Sequence, residues 1–125
     1  MANLIAKGYC THDQFGDFRI PVSFMNAVYR DFCRSQEYRF ALSINEIIGA
    51  SGCPNLTSFL IEQTQKRQID ILLIPSFDCI PENSASRILS LAKSADIRIF
   101  SIFEKANFCE EGLAARRSID RNSIQ

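Results

Sequence analysis

The sequence has no excess of charge of either sign. Fourteen Lys and Arg residues balance fourteen Asp and Glu residues, whereas a domain that holds nucleic acid by its phosphates usually carries a basic excess. The charge balance therefore predicts that nucleic acid is not a partner of this chain. Ten phenylalanines offer rings for base stacking, but Phe24, Phe32 and Phe100 fall within apolar patterns that favour core packing.

Long apolar runs are also absent. The longest, Ile71 to Ile74, is far too short to cross a bilayer, so no membrane association is expected. Lys7 soon follows Met1, and neither a long apolar segment nor a small-residue cleavage site is present near the start of the chain. We therefore expect a cytoplasmic protein.

The sequence lacks the short motifs that hold metals, nucleotides or catalytic serines. Its five cysteines are widely spaced and form no Cys-x-x-Cys pair of the kind that binds zinc or exchanges thiols. There is no G-x-G-x-x-G and no G-x-x-x-x-G-K-[ST], the backbone cradles of dinucleotide and P-loop sites. There is no G-x-S-x-G elbow either. We expect free thiols that are buried or half-buried, no metal and no cofactor.

What is present is typical of one globular domain. The chain has 125 residues, of which 46% are hydrophobic and 22% charged, enough for one core and too few for two. We assign residues 1–118 to a single α/β domain and residues 119–125 to a frayed tail.

Apolar periodicity predicts alternating strands and helices. Short apolar runs predict four strands, over residues 4–11, 38–44, 69–74 and 97–103. Three- and four-residue spacing predicts helices over 21–35, from about Asn55 and after Asn83. The order of Glu110-Glu111 before Arg116-Arg117 predicts a short last helix beyond Asn107.

The alternation predicts a small parallel sheet with helices on both faces, because crossovers between parallel strands are right-handed. The most aliphatic strand, the third, should be central. We therefore expect about four parallel strands in the order 2-1-3-4, with flavodoxin-like or resolvase-like winding.

Most polar residues with chemical potential follow the predicted strands. In an open parallel sheet, ligands bind beyond the carboxyl ends of the strands. The candidate catalytic residues are His12, Glu46, Ser76 and Glu104, and the candidate ligand-binding residues are Arg19 and Arg30.

Each candidate has a chemical role and a structural alternative. His12 titrates near neutrality and is the natural proton carrier, although a solvated loop histidine is the commoner case. Glu46 and Glu104 are candidates for an acid and base pair, or for helix caps and surface ion pairs. Ser76 is a nucleophile only with a base in reach. The guanidinium groups of the two arginines suit a phosphate or carboxylate, or are simply solvated.

Several segments together resemble the sporadic carbohydrate cluster proteins, a family found among bacterial genes for surface-sugar biosynthesis. The resemblance covers roughly residues 6–105 and is carried by Lys7-Gly8-Tyr9, Arg19-Ile20-Pro21-Val22, Arg30-Asp31-Phe32-Cys33, Ser43 with Glu46, Ile69-Asp70, Ser76, Ile80-Pro81 and Glu104. It implies a protein that binds a sugar or sugar-nucleotide intermediate, either with or without transforming it. The alternative is a non-catalytic module that assists a neighbouring biosynthetic enzyme. A homo-oligomer is expected in either case.

More distantly, the layout is similar to the catalytic domain of serine recombinases. The shared features are a tyrosine in strand one, a glycine-rich loop after strand two and an aspartate after strand three. Where that family has Y-x-R-x-S, this chain has Tyr9-Cys10-Thr11-His12-Asp13, and Asp78 is followed by Cys79 instead of arginine. The resemblance therefore implies a shared scaffold without DNA cleavage.

Overall fold

The fold was analysed in a computed structural model, which describes residues 3–11, 21–46 and 53–109. The strands are β1 (Ile5–Cys10), β2 (Arg39–Phe40), β3 (Ile44–Asn45), β4 (Ile71–Ile74), β5 (Arg98–Ser101) and β6 (Ala106–Asn107). The helices are α1 (Val22–Gln36), α2 (Pro54–Lys66) and α3 (Glu82–Ser94), with a 3₁₀ turn at Phe77–Cys79. The predicted last helix begins outside the described residues.

The sheet has the predicted winding. Its order is β2-β1-β4-β5-β6, and β3 also pairs with β1. All pairs are parallel except β5 with β6. Since β2 and β3 together form the predicted second strand, the expected order 2-1-3-4 is confirmed, and β6 extends it as a short antiparallel edge.

Helices cover both faces of the sheet, as predicted. On one face, Met25, Tyr29 and Cys33 of α1 pack on β1 and β4. On the other, α2 and α3 share a core with the sheet, built on residues such as Leu60 and Ile88. All four residues of β4 are buried, which is expected of a central strand between two helical layers.

The second strand differs from its prediction because it contains an extra residue. Ile5 and Ala6 pair with Arg39 and Phe40, but Tyr9 pairs with Ile44, which is one position later than an unbroken register gives. Such an insertion divides a strand as a bulge does. The two halves are therefore β2 and β3.

Gly8 lies beside this break, and its missing side chain leaves space for Ser43 and Tyr29. A Cβ atom at Gly8 would lie 2.5 Å from Oγ of Ser43 and 2.7 Å from Cε2 of Tyr29. Any side chain at this position would displace one of them.

The cysteine and phenylalanine predictions hold with two exceptions, the exposed Cys109 and the exposed Phe24. All five thiols are free, and Cys109 alone is exposed. Phe32 stacks on Phe100 with ring centroids 5.0 Å apart, as core packing requires. Phe24, in the first turn of α1, is 57% exposed, so its assignment to the core is wrong.

Candidate functional site at the carboxyl edge of the sheet

Glu46 directly follows β3 and is 7% exposed. Its Oε1 accepts hydrogen bonds from the Tyr9 hydroxyl (3.0 Å) and the Leu56 N–H (3.1 Å), and its Oε2 accepts from the Asn55 N–H (3.1 Å). Both N–H groups belong to the first turn of α2, where a helix presents unpaired donors and a partial positive charge. Glu46 therefore caps α2 and fixes it to β1.

Glu104 makes a similar connection in the other half of the carboxyl edge, after β5. It follows β5 and accepts the Phe77 N–H at 3.0 Å and a short hydrogen bond from the Ser101 hydroxyl. These contacts join the turn after β5 to the turn after β4. Ser76, in the latter turn, is fully buried, and its Oγ accepts the Asp78 N–H at 3.2 Å.

The two glutamates are carried by strands that are not neighbours. Glu46 follows β3, and Glu104 follows β5, with β1 and β4 between them. Three strand spacings correspond to roughly 14 Å. Each carboxylate instead holds a turn or helix in its own half of the edge.

The arginine and histidine candidates are less fully placed. His12 and Arg19 lie outside the described residues, so their roles stay predictions. Arg30 is exposed on α1, more than two turns beyond the start of that helix. At the rise of an α-helix it lies roughly 12 Å along the axis from Val22.

A third group of polar side chains at this edge was not predicted. The Ser43 hydroxyl makes a short hydrogen bond to Oδ1 of Asn26, and Sγ of Cys10 lies 3.9 Å from the same oxygen. Burial is the main cause that raises the pKa of the Cys10 thiol. The sequence does hold a signal for Asn26, because it lies three positions before buried Tyr29, on the same side of α1.

Tyr9 and Tyr29 join these groups across β1. The Tyr29 hydroxyl donates to the Tyr9 carbonyl at 2.7 Å. Burial, followed by a hydrogen bond with Cys53, raises the pKa of Tyr9, so its hydroxyl stays a proton donor to Glu46. Among the described residues, internal hydrogen bonds therefore connect the polar side chains of the carboxyl edge.

Within the described part of the chain, the start of α1 differs from the starts of the other two helices in its lack of nearby acidic groups. Among the described residues, no side chain caps α1 and no acidic residue lies in its first turn. Glu46 covers the start of α2, and Glu82 lies in the first turn of α3. Because helix starts carry a partial positive charge, α1 is the helix that leaves this charge unopposed within those ranges.

The described residues contain neither a metal-binding cluster nor a membrane-spanning helix. Across residues 3–11, 21–46 and 53–109, no three His, Cys, Asp or Glu side chains are grouped so that they could hold a metal ion. None of the helices in that part of the chain has the length and apolar character needed to span a membrane.

Comparison with solved structures identifies the scaffold. A resolvase family site-specific recombinase from Streptococcus pneumoniae matches with a TM-score of 0.70 at 9% identity, over 98% of this chain and 91% of that chain. The chain has a resolvase-like fold. The C-terminal catalytic domain of ISC1926 TnpA, an IS607-like serine recombinase, matches with a TM-score of 0.61 at 15% identity, over 79% of this chain and 69% of that chain.

A third structure shares the fold over its whole length. The N-terminal catalytic domain of TP901-1 integrase matches with a TM-score of 0.66 at 12% identity, over 97% of this chain and 99% of that chain. No family model and no curated protein matches the sequence. Nothing in these comparisons supports the resemblance to the sporadic carbohydrate cluster family.

The comparisons correct two of the expectations drawn from the sequence. The surface-carbohydrate function, with its sugar or sugar-nucleotide ligand, is wrong, because the structural neighbours are recombinase and integrase catalytic domains. The exclusion of nucleic acid is corrected by the same finding. The exclusion relied on the net charge of the whole chain, which does not describe the charge of any one surface.

Proposed function

We propose that this chain takes part in DNA recombination as a DNA-binding domain of resolvase-like fold that does not itself cut DNA. The observation that carries the proposal is the match in fold over 98% of this chain and 91% of a site-specific recombinase. Two further structural neighbours are described as a serine recombinase and an integrase. A fold alone does not determine function, so the proposal also needs a binding surface.

The start of α1 supplies that surface. Its N–H groups have no side-chain cap among the described residues, and a helix start of this kind favours a phosphate. Arg19 lies three positions before Val22, close enough in sequence to bring a guanidinium group to the same phosphate. Exposed Phe24 adds an apolar ring in the first turn. We assign the DNA backbone to this place, with Arg19 as its proposed main ligand and His12 as a second candidate.

The proposal excludes strand cleavage for two reasons. The arginine and serine of the recombinase pattern are replaced by Thr11 and Asp13. Two hydroxyls near the edge, those of Ser76 and Ser101, belong to residues with no exposed surface, so a phosphodiester does not reach them. In this proposal Glu46 and Glu104 keep the edge rigid, as their hydrogen bonds to backbone N–H groups suggest.

The proposed assembly is a homo-oligomer. Leu42 and Phe103 are 77% and 69% exposed, and exposed large apolar side chains favour contacts between protein surfaces. A symmetric assembly would also present more than one α1 start to the same duplex.

A pair of charge reversals tests the phosphate site. Arg19→Glu and Arg34→Glu change the net charge equally, but Arg34 lies in the last turn of α1 and forms a surface pair with Asp31. We expect Arg19→Glu to weaken binding to a 30-base-pair duplex about tenfold or more, and Arg34→Glu to weaken it about threefold or less. Gel-shift titration at low salt measures both.

Two results contradict the proposal. Equal losses for the two variants would mean that DNA is attracted by overall charge and not by the start of α1. Nicking of a supercoiled plasmid, or a covalent protein–DNA adduct on a denaturing gel, would show that the chain cuts DNA.

A further inference from the structure

A groove of about 740 Å³ lies at the opposite, amino edge of the sheet, beside the end of α3. Its apolar lining includes Leu4, Leu89, Ala92, Ile97 and Phe108. Leu4 is 43% exposed there, and open apolar surface of this kind is a site of packing. We propose that residues 110–118 of this chain pack into the groove and cover it.

The direction of the chain leads into the groove. Because β6 is antiparallel to β5, it runs toward the amino edge of the sheet. The Phe108 N–H donates to the Ile99 carbonyl at 2.7 Å, so this direction is maintained beyond the strand. Cys109 itself lines the groove, so the described part of the chain ends there.

The composition of the segment fits the apolar lining. Leu113, Ala114 and Ala115 begin four residues after Cys109. Four residues cover about 6 Å as a helix and about 13 Å when extended. Either geometry keeps Leu113 within reach of the groove, with two small side chains after it that allow close packing.

The charges of the segment complement those of the lining. The lining carries Lys93 and Arg98 as cations and Asp70 and Asp96 as anions. The segment has Glu110-Glu111 near its start and Arg116-Arg117 six positions later. Each pair therefore has a charge of opposite sign available in the groove lining.

Hydrogen exchange on the full-length chain tests the proposal. The matched variants are Leu113→Asp, which places a charge in the apolar part of the segment, and Gln125→Asp, which adds the same charge at the last residue. In the wild-type chain we expect the amides of residues 111–117 to exchange about tenfold or more slowly than in an unstructured peptide. Leu113→Asp should remove that protection and expose the groove lining to labelling, whereas Gln125→Asp should leave both unchanged.

Two outcomes overturn the proposal. One is exchange of residues 111–117 at unstructured rates in the wild-type chain. The other is protection of the groove that disappears on dilution and is insensitive to Leu113→Asp, because this would identify a second copy of the chain as the occupant.

Discussion

Glu46 shows how a residue that looks catalytic in the sequence can have a structural task. The carboxylate is buried, but its three hydrogen bonds to Tyr9, Asn55 and Leu56 replace the water it has lost. Proton transfer by this group is still a prediction. Its contacts already explain why an acidic residue stands at the end of β3.

Replacing Glu46 by Ala should destabilise the fold by about 2–3 kcal/mol, because it leaves a buried hydroxyl and two helix N–H groups without their acceptor. The control is Glu62→Ala, which removes an exposed pair with Lys66 at 2.9 Å and should cost about 0.5 kcal/mol or less. Urea unfolding followed by circular dichroism measures both changes. Equal small losses would contradict the capping role.

Because the Cys79 thiol is buried, we expect the protein to lose stability in alkaline solution. Burial is the main cause that raises the pKa of this thiol, whereas in the unfolded chain it ionises near its ordinary value of 9.0. Its contribution is therefore fully present below pH 9 and decreases above it, since the unfolded state loses a proton that the folded state retains. The limiting slope is about 1.4 kcal/mol per pH unit.

Unfolding free energies from pH 8 to pH 10.5, in a reducing buffer, test this expectation. Cys79→Ala should make the decline less steep, and Cys109→Ala, at an exposed thiol, should not. A decline unaffected by Cys79→Ala would assign the alkaline sensitivity to other groups.

At the scale of elements, hydrophobic patterning predicts the sheet well and its polar interruptions poorly. The aliphatic run in β4 identifies the central strand, and Pro21 marks the start of α1 within one residue. The break between β2 and β3 is not visible, because Ala41, Leu42 and Ser43 continue a plausible strand pattern. Only the pairing with β1 shows that one residue is extra.

The two-residue strand β6 has no signal in the sequence, for a related reason. Ala106 and Asn107 are both exposed and have no apolar alternation, so periodicity gives no signal. The strand exists because Ser101 and Phe100 offer free backbone groups at the edge of the sheet. Similarly, the positions of Glu46 and Glu104 after strands point to both residues, but their backbone partners come from distant segments that the sequence does not identify.

The central position of β4 predicts the slowest hydrogen exchange in the molecule. Its residues are buried and pair with β1 on one side and β5 on the other. We expect amides of Ile71–Ile74 to exchange only through global unfolding, and those of β2 and β6 to exchange through local opening. Greater protection in β6 than in β4 would contradict this layering. Residue-resolved exchange by NMR provides the measurement.

At the scale of the whole molecule, the proposal pairs a chain without net charge with DNA, a highly charged partner. The net charge of zero predicts weak long-range attraction to DNA, so binding should depend on a few local contacts at the start of α1. A small number of phosphate contacts gives a shallow salt dependence, since each contact releases about one counterion. The size of that dependence therefore reports how local the interaction is.

The most direct test of DNA binding is fluorescence anisotropy of a labelled duplex, titrated with the wild-type chain over a series of salt concentrations. We predict saturable binding at low salt and a linear fall of log K with log salt, with a slope between about −1 and −3 per chain. Absence of binding at 50 mM salt and micromolar protein, or an affinity that does not change with salt, would contradict the assignment of this resolvase-like domain to DNA.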